Sequence, residues 1–309
     1  MSTEARPDRQ PTPSPTARRT TLRNRRRAGS PDRAGWLVRV AVFVIVAIWI
    51  IPTLGLLVNS FRSSVESSSS GWWTSLLQPF STEWTIDNYH RVLTSGGLFD
   101  ALINSLIVTI PSVVIPITLA AFAAYAFAWL KFRGKSLLFG VLVALIVVPL
   151  QLSLVPLLRI YQSTDLTGSF LGIWLAHTGF GLPLAVFILY GFISQLPKDI
   201  FESAWIDGAT PFTAFTRLVL PLSLPALAAF AILQFFWVWN DFLVALVFLG
   251  GSADVAVLPI ELASIVGSRG EAFHLLTAAA FVSMAIPLVV FLALQRYFVR
   301  GMLAGSVKG

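Results

Sequence analysis

Cysteine is absent from the 309 residues, and acidic and basic side chains together supply only 12% of them. The first absence removes disulfides, thiol catalysis and cysteine-based zinc sites. The second leaves about half the charge of an ordinary soluble domain. Hydrophobic residues make up 56% of the chain, and the mean hydropathy is +0.77. Such a chain has too little polar surface to cover itself in water, and its natural solvent is the bilayer. The net charge of +7 would suit nucleic acid, but its distribution argues against that. Ten of the 22 basic residues fall in the first 39 positions, and all ten are arginines.

Residues 1–34 are rich in Arg, Pro, Ser and Thr and nearly lack large apolar side chains. They cannot bury enough surface to offset their ordering entropy, so a disordered tail is expected. It either sets topology or also touches anionic lipid headgroups. The apolar run after it is too long for a cleaved signal peptide.

Six apolar spans follow: Val38 to Val58, Ala101 to Leu130, Leu137 to Leu158, Phe170 to Ile193, about Leu222 to Phe248, and Leu275 to Leu294. Each is long enough to cross ~30 Å of hydrocarbon as a helix. Pro52, Pro111, Pro116, Pro149, Pro183 and Pro287 lie inside them and imply kinks. With the N-terminus inside, the inner segments hold 18 basic residues and the outer ones four: Arg62, Arg91, Arg159 and Arg269. That bias places both termini in the cytoplasm. The outer segment 60–100 carries Trp72, Trp73, Trp84 and Tyr89, which suit a stretch lying at the interface. The other large outer segment, 250–274, is rich in Gly and Ser. No internal repeat is evident.

One inner loop is more structured than a linker needs to be: ESAWIDGATPFTAFTRLVLPLSLP, residues 202–225. Pro197 marks a helix start, and Asp199 and Glu202 put acid where the helix dipole favours it. Ile200, Phe201, Ala204 and Trp205 share a face. Gly208 stands where a left-handed cap is expected. Thr210 and Pro211 can start a second helix, with Phe212, Phe215, Leu218 and Val219 on its apolar face. Pro221 and Pro225 punctuate the entry to the fifth span. These residues predict a short helix, a sharp turn and a second helix along the cytoplasmic surface. Such an element suits docking into a groove on another protein, or packing back against its own bundle.

The loop resembles the cytoplasmic loop of ABC-importer permeases, which reads Glu-Ala-Ala, three residues, Gly, about nine residues, an aliphatic residue, one residue, Leu-Pro. Here Glu202-Ser203-Ala204 is followed by Gly208, then Leu218, Leu220 and Pro221, with Ser203 for the first Ala the one departure. NSLIVT at 104–109, LAAFAAYAFAWLKFRGK at 119–135, VWNDFLVAL at 238–246 and QRYFVRGMLAGSVKG at 295–309 resemble the maltose-permease-like carbohydrate branch. The outer segment is similar to that of alpha-glucoside permeases. The resemblance covers about residues 35–309. It implies an all-α integral membrane fold of six transmembrane helices, with a coupling helix between spans 4 and 5 in the loop 194–221. It implies that Glu202, Ser203, Ala204, Asp207, Gly208, Leu220 and Pro221 face a cytoplasmic ATPase; Asp207 is also readable as a plain turn residue. The implied partners are a second homologous permease, two ABC ATPase subunits, an extracytoplasmic sugar-binding protein, the sugar and the lipid bilayer, in a bacterial cell membrane. ATP and Mg would belong to the ATPase subunits, with no cofactor on this chain and no nucleic acid bound.

Elsewhere, FRGKS at 132–136 ends like a phosphate-binding loop, but Trp129 stands where the first glycine should be, and a membrane span replaces the strand. No ATP hydrolysis by this chain is expected. Asp241 is the acid placed most clearly within a span, where a carboxylate is costly. With Asn240 and Trp237 it reads either as part of a sugar pathway or as an interhelical hydrogen bond. Asn104 and Gln234 are open to the same two readings, as are Thr109, Gln151 and His177. His177 has no carboxylate near it in sequence, so no metal site is expected. An ion-coupled carrier or channel acting without an ATPase is the rival reading, and one intramembrane acid provides thinly for it.

Overall fold

A computed structural model of the chain describes residues 31–94, 97–265 and 272–306. Its helices are α1 (Pro31–Ser60), α2 (Ser64–Ser69), α3 (Trp72–Leu77), α4 (Asp87–Thr94), α5 (Leu98–Trp129), α6 (Lys135–Val147) and α7 (Leu150–Ser163). They continue as α8 (Phe170–Ile193), α9 (Lys198–Ile206), α10 (Pro211–Ala214), α11 (Leu220–Trp239), α12 (Leu243–Leu249), α13 (Leu258–Ile265) and α14 (Phe273–Ser306). The fold is all-α, as expected. Most of the tail read as disordered lies outside the described residues, and helix is present from Pro31 onward.

Residues up to Leu54 form a unit of their own. Within it α1 exposes apolar side chains around its circumference, Phe43 and Trp49 most of all. An apolar helix with no polar face is what hydrocarbon solvates. Pro52 lies inside it without breaking it.

In the second unit, α5 runs along both α8 and α11, and α11 runs along α14. Lipid offers no hydrophobic drive for helices to associate, so close van der Waals contact must hold them. The sequence supplies that with small residues. Ala120, Ala121 and Ala124 of α5 and Ala185 of α8 are buried in one cluster. Gly181 of α8 leaves the room that Gln234 of α11 fills: a β-carbon there would lie 2.7 Å from the Gln234 amide nitrogen.

Among the described residues, five helical stretches are long and apolar enough to span a membrane: Gly35–Ser60, Leu98–Trp129, Phe170–Ile193, Pro211–Trp239 and Phe273–Gln295. Two expectations need correction. The third span is not one helix; α6 and α7 meet at 103°. Pro149 has no N–H and disfavours helix in the residue before it, and Val148 is extended accordingly (φ −69°, ψ 120°). The fifth span begins and ends about ten residues earlier than its hydropathy suggested, breaking after Trp239.

The segments assigned outside gather at the start of α5. There Asn104 donates through Nδ2 to the Asp254 and Ala256 carbonyls (3.1 and 3.0 Å), and the Ser105 hydroxyl accepts from the Leu258 amide (2.8 Å). The 194–221 loop sits at the other end of the same helix, where the Tyr125 hydroxyl donates to the Pro211 carbonyl (3.1 Å). The helical stretch from Asn104 to Tyr125 separates the two contacts by about 32 Å.

Candidate functional site

The loop at 194–221 folds from strong local signals. Pro197 is extended (φ −60°, ψ 130°) and starts α9, with Asp199 in its first turn. The helix closes through Asp207 N–H to the Ser203 carbonyl (3.0 Å) and Ala209 N–H to the Ala204 carbonyl (2.9 Å). That six-to-one bond requires a left-handed residue between, and Gly208 has φ +78°. No atom would meet a β-carbon at Gly208 within 4 Å, so the demand for glycine is purely backbone. Thr210 caps the next turn, accepting from Thr213 N–H (3.2 Å), and Pro211 follows at its first position.

The second arm differs from expectation. α10 lasts four residues and passes through a widened π turn, Phe215–Val219, straight into α11. It is the start of the fifth span, not a separate surface helix. The reason is Pro221, which has no N–H to give to a carbonyl one turn back. Instead Leu220 N–H reaches the Phe215 carbonyl, five residues before it. Phe215 and Val219 are buried, Leu218 and Leu220 are half-buried, and Phe212 is 65% exposed.

On the first arm Phe201 is fully buried while Ile200 and Ala204 are half-buried. Glu202, Ser203, Asp207, Gly208 and Pro221 are exposed. Ser203 bonds back to the Asp199 carbonyl (2.8 Å), which satisfies its hydroxyl within the helix. Trp205 and Ile206 are also exposed, Ile206 by 86%. The loop therefore presents acid beside large apolar side chains at one end of the bundle.

The five pathway candidates do not form one cluster. Asn104 holds the 253–258 segment, as above. Gln234 is 2% exposed and donates to the Ser112 carbonyl of α5 (3.2 Å). Asn240 is exposed and donates to the Phe236 carbonyl (2.8 Å). Asp241 lies not inside a span but in the break after α11. Its two oxygens accept from Val244 N–H (3.4 Å) and Ala245 N–H (2.9 Å), capping α12. Asn and Asp compete with helix for backbone groups, so an Asn-Asp pair is a physical reason for the break. Trp237 lines a cavity of about 450 Å³ between the α6–α7 bend and α8, with Ser153, Gly179 and Phe180.

Two features escaped the sequence reading. His177 of α8 is buried, with Nε2 3.9 Å from Asp241 Oδ2, a proximity that only the fold creates. Arg62 was counted as an outer charge but is 1% exposed. Its guanidinium donates to the Ser70 and Glu66 carbonyls (3.1 and 2.6 Å) and lies 3.5 Å from the Glu66 carboxylate. Its own carbonyl and that of Ser60 accept from Asn88 Nδ2 (2.8 and 2.9 Å). The Arg62–Glu66 spacing was the one signal available.

Helices long and apolar enough to cross a membrane, with a structured loop at one end of α5 and pinned segments at the other, are the architecture of a polytopic membrane protein. The match is specific. The family described as "binding-protein-dependent transport system inner membrane component" matches residues 93–304. The chain belongs to that family. It is 54% identical to an osmoprotective compounds uptake permease protein of Synechocystis sp., over 88% of this chain and 91% of that one. It is 39% identical to an alpha-glucoside transport system permease protein of Rhizobium meliloti, over 89% and 97%. Among solved structures it resembles a chain of a bacterial ABC transporter involved in the import of the acidic polysaccharide alginate. The TM-score there is 0.67 at 18% identity, covering 86% of this chain and 97% of that chain. That likeness is one of fold.

Proposed function

We propose that this chain is the permease subunit of an ATP-driven ABC importer for a sugar. It would line the translocation pathway with a second, homologous permease. Two ATPase subunits, carrying the ATP and Mg, would bind at the 194–221 loop on the cytoplasmic side. An extracytoplasmic sugar-binding protein would dock at the other end. Alpha-glucosides are the first substrate class to test, because a relative at 39% identity is named for them.

The observation that carries this reading is the exposed surface of α9 and its turn: Glu202, Trp205, Ile206 and Asp207 around a left-handed Gly208. ATP binding closes the ATPase dimer, the loops move with it, and the bundle shifts from inward- to outward-open. The ion-coupled alternative is disfavoured because both Asp241 oxygens are engaged in capping α12. Trp237, Asn240 and Asp241 remain the proposed pathway side chains near the α11 break, with Asn104 and Gln234 supporting the helices around them.

Glu202→Lys tests the reading. Reversing one charge at a desolvated interface costs about 2–5 kcal/mol, enough to loosen a subunit. The variant should reach the membrane, lose sugar uptake and shed its ATPase subunits on purification. Full uptake with full ATPase retention would show that this surface does not dock them.

A further inference from the structure

If the loop is where the ATPase pushes, its displacement needs a route to the far side of the membrane. Phe122, Tyr125 and Trp129 lie three and four residues apart on α5, so they share one helical face. Trp129 stacks on the buried Phe201 of α9, with centroids 3.8 Å apart and planes at 21°, and meets Trp205 edge-on at 6.4 Å. Its indole N–H donates to the Ile193 carbonyl at the end of α8 (3.1 Å). On the other arm, Phe122 stacks on Phe215 (4.4 Å, 25°), and the Tyr125 hydroxyl donates to the Pro211 carbonyl. One helix thus grips both arms of the turn, before and after Gly208, and leaves the tip free.

The start of the same helix grips the opposite segment. Asn104 and Ser105 bond the backbone at Asp254, Ala256 and Leu258, as described. α5 runs between the two grips as a single helix despite Pro111 and Pro116. α11 also leaves the turn, but through the π stretch, a common place for a helix to yield.

We propose that α5 is the rod that transmits displacement of the coupling turn to the 253–258 segment, with Trp129 the positioning residue that seats the turn on it. This deepens the reading above and rests on it. Interlocked aromatic rings resist sliding because their contacts cannot be exchanged gradually. Coupling of this kind is also reciprocal: a binding protein pressing on 253–258 should be felt at the ATPase.

The test uses the reconstituted complex and measures ATP hydrolysis with and without sugar-loaded binding protein. Trp129→Leu should retain its ATPase subunits and basal hydrolysis, while stimulation by the binding protein falls about 2- to 30-fold. Trp129→Phe, which keeps a stacking ring, should stay close to the parent. Ser105→Ala, at the other end, should also reduce stimulation, and the Trp129→Leu/Ser105→Ala double variant should be no worse than the poorer single. Two separate routes would instead make the losses multiply, and that result overturns the proposal, as does unchanged stimulation in Trp129→Leu. Should Trp129→Leu fail to reach the membrane, Tyr125→Phe takes its place, since it deletes only the hydroxyl donated to Pro211. Glu202→Lys is run in parallel. If it keeps its subunits, the docking reading fails; if it sheds them while Trp129→Leu keeps full stimulation, only the rod fails.

Discussion

The two ends of the bundle are held by different chemistry. At the 194–221 end the grip is aromatic, with Trp129 on Phe201 and Phe122 on Phe215, and few polar contacts. At the opposite end it is polar. Arg62, Asn88, Asn104 and Ser105 are buried and spend their donors and acceptors on backbone groups of irregular segments. The difference follows from what each end must hold. The 194–221 turn satisfies its backbone locally, through α9, Gly208 and Thr210, so side chains are free to pack. The other segments are short helices and extended pieces whose carbonyls need partners brought from elsewhere.

The sharpest way to break that comparison is Arg62→Met. It removes the guanidinium donor to the Ser70 carbonyl, while the Glu66 carbonyl keeps the Ser70 N–H (3.2 Å). Losing the hydrogen bonds of a buried charged group costs about 1.5–3 kcal/mol. Thermal unfolding of the purified protein in detergent should shift clearly downward, and binding-protein docking should weaken. Retention of the ATPase subunits at low temperature should survive, since the aromatic grip is untouched. An unchanged melting temperature would mean that the polar scaffold does not depend on Arg62.

A smaller effect is expected at Gly208. Because nothing crowds the position, substitution tests the backbone alone. Gly208→Val forces a β-branched residue to φ +78° at a cost of about 1–2 kcal/mol and should misdirect α10, abolishing uptake. Gly208→Asn, which tolerates left-handed backbone, should keep most of it. Equal loss in both would show that the surface at 208 must be bare, a contact requirement and not a conformational one.

How much of this was legible depended on range. The turn could be read from Pro197, Gly208, Thr210 and Pro211 because each acts on its immediate neighbours. Four of the five continuous spans were legible to within a few residues because hydrocarbon imposes length and composition on any helix that crosses it. Hydropathy averaging hid the break at Asn240–Asp241, although those residues carry its cause. Pro149 announced a kink, but not a 103° one, because the angle depends on where α7 finds its packing. Arg62 was invisible as a core residue, since its environment is made by Asn88 and Ser70. The α5 grip needed Trp129 and Phe201 to meet across the loop at 130–134, α6, α7 and α8. Gly267 and Gly270 of the Gly- and Ser-rich outer segment lie outside the described residues.

The smallest expected effect sharpens the comparison by repeating one chemical change at each end. Asp254 sits in a short 3₁₀ turn, exposed, and lines a pocket of about 380 Å³ with Asp100 and Glu261. Its backbone carbonyl, not its carboxylate, accepts from Asn104, so Asp254→Lys leaves that grip in place. An exposed charge contributes about 0–1 kcal/mol, and the neighbouring carboxylates favour the new lysine. The variant should therefore fold, reach the membrane and keep its ATPase subunits, where Glu202→Lys loses them. Any effect should appear in binding-protein affinity and should shrink with added salt, as exposed electrostatics do. Co-purification of the complex at two salt concentrations reads both outcomes. If Asp254→Lys shed the ATPase subunits as Glu202→Lys is expected to, the two ends could not be doing separate jobs, and the assignment of docking to the 194–221 end would have to be withdrawn.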